Sequence, residues 1–378
     1  MSDMTTTSLR ENLRDLLEQK RNSGPSGLLS FYQDVEENLR KHYPSSLFRY
    51  RTCSANHIEA LRQRQIWLSY PVAFNDPYDV LVFFDIAAKV HELRESNGTI
   101  AERLGALFGG MANDAESCEL QKKIVAEINN LPSDLKRKSE EKLKKEICKL
   151  EATCSEFSNE FRRILREDSH LRIACFSETV TNPPMWAHYS DNGKGFAIEY
   201  KTNFLRSICH KNATNKICVS KSCPDFQTNC RNRYAGHLFP VIYSNQRYDF
   251  SAAAWKIFLA IVISSASPED RMKLSSAAMS EDSTIYHKLS LIKSEAWRYE
   301  NEWRVVAQAP GAENHISFIC DPVAVYLGTN IDPKDKREIL EIVAYNNQTY
   351  DGHKVSVYMM KVNFQNKNNE LEVGEKLC

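Results

Sequence analysis

Leucines recur at helical spacing near the start of the chain. Leu9, Leu13, Leu16 and Leu17 would form one apolar stripe of a helix over 7–21. Ser23, Gly24, Pro25 and Ser26 interrupt the stripe, and a second helix is expected over 26–40. The period then drops to two. Over 47–51, Leu47 and Arg49 fall on one face of an expected strand, and Phe48 and Tyr50 on the other. A helix over 56–64, a strand over 65–69 and a turn over 75–79 follow. From about 86 to 168 the pattern is helical and highly charged. Leu143, Ile147, Leu150, Cys154, Phe157, Phe161 and Ile164 step by four and three, which is a heptad seam. Leu120, Ile124, Ile128, Leu131 and Leu135 offer a partner seam, with room to turn at Pro132 and Ser133. This predicts an antiparallel helical hairpin. Packing on its own domain is favoured over a self-associating coiled coil or a partner surface, because the seam is only about three heptads long.

Further strands are expected over 171–177, 195–200, 239–243, 302–307, 316–319, 324–327 and 355–362. Helices are expected over 251–296 and 334–345, and the segment after Phe364 reads as a mobile tail. The fold class is therefore α+β, a mixed β core with helical insertions. Its expected divisions are a helical extension (1–43), a first part of the core (44–85), the inserted hairpin (86–168), core strands (169–200), a Cys-rich insertion (201–238), the rest of the core (239–362) and the tail (363–378).

Composition narrows the classes. With 42% hydrophobic residues in 378, the chain can fill a sizeable core, and 13 Gly and 13 Pro argue against a disordered or fibrous chain. Lys+Arg and Asp+Glu balance at 49 each, so no overall charge favours nucleic acid, although a local basic patch would still be compatible with it. Eleven scattered cysteines, an odd number, suit reduced thiols and a cytoplasmic protein better than a disulfide scaffold. The first residues contain no apolar secretory segment. The most apolar stretch, 252–266, contains Lys256 and is too short for a bilayer, so no membrane association is expected.

Four clusters carry chemistry. The first joins Arg49 and Arg51 to Asn75, Asp76 and Asp79. An arginine on an inner strand must meet an anion, because it cannot deprotonate. Asp76 is the natural internal partner, and a bound phosphate or ribose is the equal alternative. The second runs from Cys175, Ser177 and Glu178 to Trp186, His188 and Tyr189. Its rings could stack on a flat ligand and His188 could hydrogen-bond it, or the same side chains could simply fill core. Gly193 and Gly195 read as turn glycines rather than a phosphate loop. The third is 297–306. If a strand begins near 300, Glu300, Glu302 and Arg304 share a face, and paired carboxylates need a cation, a hydroxyl or a proton between them. A solvated edge strand pairing its glutamates with Arg298 and Arg304 is the slightly favoured plain account. The fourth is Cys209, Cys218, Cys223 and Cys230. Four thiolates could hold zinc, but with no CxxC among them free thiols are expected and no metal is required. Walker, G-x-S-x-G and H-E-x-x-H motifs are absent from the sequence.

The order of these clusters is specific. Arg49 and Arg51 near residue 50, Ile66 to Ser69, Phe74 to Asp79, Cys175 to Glu178, Met185 to Tyr189, Lys194, Lys293, and Trp297 through Tyr299 to Arg304 together resemble the bacterial family catalogued as domain of unknown function 2971, over about residues 45–330. More distantly, an Arg-bearing first strand, a Ser-bearing second and a Glu-x-Glu at a late strand resemble the ADP-ribosyltransferase fold. That resemblance implies an enzyme with NAD as substrate, a transferase or glycohydrolase cleaving the nicotinamide–ribose bond, in the setting of a bacterial toxin or anti-phage defence effector. It implies that Arg49 or Arg51 grips phosphate or ribose, with Ser177 at the nicotinamide ribose and Trp186 or Tyr189 stacking. Glu302 would be catalytic and Glu300 would position a macromolecular or nucleotide acceptor. Two other classes fit the same residues. One is a non-catalytic nucleotide sensor. The other is a nucleic-acid enzyme holding a divalent metal on Asp76, Asp79, Glu300 and Glu302.

Overall fold

In chain order the strands are β1 (Ser46–Arg51), β2 (Gln65–Leu68), β3 (Leu171–Ser177), β4 (Phe196–Lys201), β5 (Ser207–Cys209) and β6 (Ala235–Pro240). After them come β7 (Ile242–Ser244), β8 (Ile292–Ser294), β9 (Glu302–Gln308), β10 (Ile316–Ile319), β11 (Ala324–Leu327), β12 (Ser356–Val362) and β13 (Leu371–Lys376). The computed structural model describes residues 6–19, 24–95, 126, 130, 132–165, 171–205, 207–209, 235–263, 282, 284–308, 316–350, 354–365 and 367–378. One sheet of nine strands has the order β13-β12-β11-β4-β1-β3-β9-β6-β5, while β10 pairs with β2 and β7 with β8. Pairing in the large sheet is antiparallel except between β11 and β12. A parallel pair needs a crossover, which the helix Pro333–Thr349 supplies. The α+β class expected from the sequence is thus observed.

Most strand boundaries fall within a residue or two of expectation, because each strand is a short apolar run closed by polar or turn residues. Four elements differ. The expected strand over 239–243 begins earlier, at Ala235 within the expected Cys-rich insertion, and breaks at Val241 between β6, which ends at Pro240, and β7, since proline has no N–H to continue a ladder. The expected helix over 251–296 is helical only at Ser251–Ile263 and Ile285–Leu291 among the described residues, after which come β8 and a 3-10 turn at Glu295–Glu300. The tail is not loose throughout. Leu371–Lys376 pairs with β12 in register Val362↔Leu371, although Phe364 between them is 93% exposed. Finally, β9 is no edge strand. It lies between β3 and β6, and Glu302 to Ala307 are all buried.

Helices cover the sheet. The helix α1 (Thr6–Gln19) buries Leu9, Leu13 and Leu17, and α2 (Gly24–Asp34) begins at Gly24 and Pro25, where proline fits the first helical turn and an interruption had been expected. The helix α3 (Ala55–Arg62) follows β1. The heptad seam lies along α5 (Ser133–Arg163) and ends just past it, and it packs on this chain's own residues, buried at Ile147, Leu150, Cys154 and Phe161 and half-buried at Leu143, Phe157 and Ile164. Ile147, Leu150 and Cys154 join Val90 and Leu93 of α4 (Ile86–Glu95) in the main core. Phe161 stacks on Phe250 and meets Phe84 edge-on, while Phe157 packs on Phe258 of the helix Ser251–Ile263. The seam's expected partners at 120, 124, 128 and 131 lie outside the described residues, whereas Leu135 is exposed. Among the described residues no helix is long and apolar enough to cross a membrane.

Candidate functional site

The cavity begins with a split in the sheet. Strands β1 and β3 share one registered pair, Phe48↔Ser177. Farther along, Ile173 exchanges both backbone hydrogen bonds with Ser69 instead, at 2.8 and 2.9 Å. The gap widens into a cavity of about 320 Å³, walled by β1, β3, the segment 69–79 and the start of β9.

Arg49 lies at this gap, 5% exposed, as expected of the inner face of a central strand. Its Nη2 donates to the Trp67 carbonyl at 2.6 Å and its guanidinium lies over Phe176, 5.6 Å from the ring centroid. Its Nε has no partner, and no carboxylate is within ion-pair distance among the described residues. Burial accordingly lowers its pKa from the usual arginine value. Asp76 does not pair with Arg49. Its Oδ1 caps the Tyr78 N–H at 2.8 Å in an aspartate turn, its Oδ2 is buried without a partner, and it does not line the cavity. Arg51, half-buried, also lines the cavity, and its Nη1 donates to the carbonyl of Tyr50. The two arginines are two residues apart on one strand face, so both reach the cavity. Behind β1, Gly195 is irreplaceable by shape, since a Cβ there would lie 2.0 Å from the Arg51 carbonyl oxygen. Gly193 has φ +76, the turn role expected of it.

A buried charge cluster forms the opposite wall. Arg304, with no exposed surface, donates through Nη1 and Nη2 to Asp79 at 2.8 and 2.6 Å and through Nε to Glu302 at 2.7 Å. A second bond runs from Nη2 to Glu302 at 3.1 Å. Lys293 Nζ donates to Glu300 at 2.5 Å and to Glu302 at 2.9 Å. Glu300, Glu302 and Arg304 converge as expected, but by a different route. Residues 295–300 are a 3-10 turn, and Asn301 takes the left-handed conformation (φ 44, ψ 51) before β9 starts. Arg298 pairs with Glu295 and takes no part.

The two glutamates are driven apart electrostatically. Burial opposes ionisation of Glu302, yet Arg304 and Lys293 outweigh it and hold the carboxyl well below the usual range. Burial, reinforced by the charge of Glu302, pushes Glu300 up to about 7, with Lys293 working against the shift. Burial likewise disfavours the Lys293 ammonium, but Glu302, Glu300 and Asp79 overcome it and raise its pKa. The result is one fixed carboxylate beside one poised to exchange a proton near neutrality. The Tyr189 hydroxyl donates to Glu300 and accepts from Asn75 Nδ2 at 3.2 Å.

Of the remaining expected residues, Ser177 lines the cavity but its hydroxyl donates to the Glu300 carbonyl at 2.7 Å, fixing the turn. His188 is exposed at the cavity and hydrogen-bonds the Tyr299 hydroxyl at 3.0 Å. Trp186 is not a cavity ring. It is buried in a second apolar cluster edge-on to Tyr50, with its Nε1 donating to the Val180 carbonyl at 2.7 Å. Phe48, Tyr50, Phe74, Phe176 and Tyr189 supply the cavity's aromatic rings instead. Of the candidate zinc cysteines, Cys218, Cys223 and Cys230 lie outside the described residues, as does the side chain of Cys209. Sequence reasoning undervalued Lys293 and Asp79 as members of the charge cluster. The signal for Lys293 was a cation at the end of the apolar run Leu289, Leu291 and Ile292, since a lysine in an apolar run needs a buried anion.

Neither a curated protein nor a solved structure matches the chain. A family model does, and it covers the segment bearing His188, Tyr189, Lys293, Glu300, Glu302 and Arg304, though not the strand of Arg49. Residues 185–305 match the model described as Protein of unknown function (DUF2971), the family that the motifs resemble, over a shorter stretch than the 45–330 expected from them.

Proposed function

We propose that the cavity binds the nicotinamide half of NAD and cleaves its nicotinamide–ribose bond, in the manner of an ADP-ribosyltransferase-like enzyme. The observation that carries the reading is the meeting of Arg49, Ser177 and Glu302 at one cavity. They come from β1, β3 and β9, three neighbouring strands, and this is the Arg–Ser–Glu order that the resemblance implies. Arg49, buried without a counter-ion, and Arg51 suit a phosphate. As the C1′–N bond breaks, nicotinamide leaves as a neutral base with the bonding pair, and positive charge develops on the ribose. A negatively charged wall stabilises that charge. Glu300 suits the removal of a proton from the attacking water or acceptor hydroxyl, because its carboxylate is poised near 7. Glu302 then serves as the fixed anion and anchor. Free thiols at Cys53, Cys148, Cys154, Cys175, Cys320 and Cys378 support the cytoplasmic setting that we include in the proposal, with a macromolecular or nucleotide acceptor and a toxin or defence role.

One observation favours a second reading, a non-catalytic nucleotide sensor. Both oxygens of Glu302 are already bonded, Oε1 to Arg304 and Oε2 to Lys293 and Arg304. A divalent-metal site is less well supported, since Asp79, Glu300 and Glu302 are each tied to Lys293 or Arg304 and Asp76 lies outside the cavity. The deciding experiment measures free nicotinamide from NAD with wild type, Glu300→Gln and Glu302→Gln, beside calorimetry of NAD binding. Release by wild type that falls at least a hundredfold in Glu300→Gln supports the enzyme, on the roughly 10²–10⁴-fold scale of general acid–base catalysis. Binding without release supports the sensor. Neither binding nor release sinks both.

A further inference from the structure

Two arginines one helical turn apart on α1 reach the back of the cavity wall. Arg10, 6% exposed, donates through Nε to the Val241 carbonyl at 2.8 Å and through Nη2 to Glu178 at 3.0 Å. That same Glu178 oxygen accepts the Trp303 indole N–H at 2.7 Å. Arg14 donates to the Tyr243 carbonyl at 2.9 Å. Each acceptor adjoins a cavity residue. Glu178 follows Ser177, and its N–H donates to the Asn301 carbonyl at 3.2 Å, between the two glutamates. Trp303 follows Glu302. Val241 N–H donates to the Glu302 carbonyl at 2.9 Å, and the Glu302 N–H donates to the Tyr243 hydroxyl at 2.8 Å. Each backbone polar group of Glu302 is thus held by a segment that α1 holds in turn.

We propose that Arg10 is a positioning residue. Through Glu178, the Trp303 indole and the Val241 carbonyl it fixes the backbone of 177–178 and 301–303, with Arg14 securing Tyr243, so that α1 sets the aim of Ser177, Glu300 and Glu302 from outside the cavity. A buried guanidinium suits this task because it has five donors in a rigid fork and can hold a carboxylate and a carbonyl simultaneously. Lysine keeps the charge but cannot reproduce that fork. The consequence for turnover rests on the NAD-cleavage reading; the consequence for backbone order does not.

The test therefore uses two readouts on the full chain, with Arg10→Ala, Arg10→Lys and Glu178→Gln. The last keeps an acceptor oxygen for Trp303 while removing the charge that pairs with Arg10. Amide hydrogen exchange should quicken in peptides spanning 176–180 and 299–304 while β11 and β12, on the far side of the sheet, keep wild-type protection. Nicotinamide release should lose about tenfold or more in kcat with KM for NAD little changed, and Arg10→Lys should recover part of it. Wild-type exchange at 299–304 in both Arg10→Ala and Glu178→Gln overturns the proposal. So does a rise shared equally by β9 and β11, which would mean general loosening. If wild type releases no nicotinamide, the NAD reading fails, and the exchange pattern alone decides whether Arg10 acts as proposed.

Discussion

A guanidinium buried beside a phenylalanine ring and one carbonyl is a costly arrangement, and Arg49 is held in that way. Such a group is retained where a ligand supplies the missing anion, so stability and binding should separate on substitution. Arg49→Met should leave thermal stability within about 1 kcal/mol of wild type or raise it, because an apolar side chain removes an uncompensated charge. The same variant should weaken NAD binding at least tenfold, about 1.4 kcal/mol, in calorimetry. A large loss of stability with intact binding would make Arg49 structural. Arg304 should behave oppositely. Arg304→Leu removes the paired donors of buried Asp79 and leaves buried Glu302 with Lys293 as its cation, and chemical denaturation should show a loss of about 3–5 kcal/mol. The signs of pH dependence at the two glutamates also differ. Glu300 keeps its proton to about 7 when folded, so its contribution to stability is full below the ordinary glutamate range and is lost as pH rises through that range towards 7. Glu302, held ionised, contributes stability above the ordinary range and loses it as pH falls.

Elements were more legible than their joints. Each strand is a short apolar run, and Leu171–Ser177, Ile316–Ile319 and Ala324–Leu327 coincide with the runs themselves. Those runs also placed Arg49 and Glu302 on strands, whereas Glu300 comes to the same cluster through the 3-10 turn before β9. What the pattern could not show was pairing at long range. The split of β1 from β3 depends on Ser69 displacing β1 at Ile173, a contact between residues about a hundred apart. The placement of Trp186 in core and the turn-capping role of Asp76 depend likewise on neighbours that sequence spacing does not encode. The same holds for the histidines where α2 meets β6. Tyr32 stacks on His237, 4.2 Å between centroids, and bonds His287 Nε2 at 3.1 Å. Burial lowers the two histidines to about 3 and about 4, from 6.5. A base whose pKa falls on folding contributes stability that is full above 6.5 and is lost as pH drops below it. Stability should thus fall by about 3 kcal/mol per histidine between pH 7 and 4, and His287→Phe, which suits the ring cluster around Phe31 and Phe239, should flatten that slope. An equal slope in the variant would place the acid sensitivity elsewhere.

On the scale of the whole molecule, the cavity joins two sides of the sheet that carry different charge. The β1 side brings Arg49 and Arg51, and the far wall, formed by the 69–79 segment, β8 and β9, brings Asp79, Glu300, Glu302, Lys293 and Arg304. These seven residues carry four formal positive charges and three negative ones when Glu300 is ionised, so an entering anion meets a site that lacks one negative charge. Once the anion is bound, its charge disfavours a second one nearby, and Glu300, pushed up to about 7, is poised to take up a proton in response. The pKa of Glu300 should therefore rise on binding, and at pH 7 to 7.5 the protein should take up a fraction of a proton per ligand. Calorimetry of NAD binding in phosphate and in Tris, whose ionisation heats differ widely, reads that uptake as a difference in apparent enthalpy. Glu300→Gln should bind with the same enthalpy in both buffers. Proton release by the wild type, or an uptake that survives in Glu300→Gln, would break the link between the arginine strand and the glutamate turn. An uptake that disappears with Glu300 would show that ligand recognition on β1 and proton transfer beside β9 are parts of one device, coupled across the split that divides the sheet.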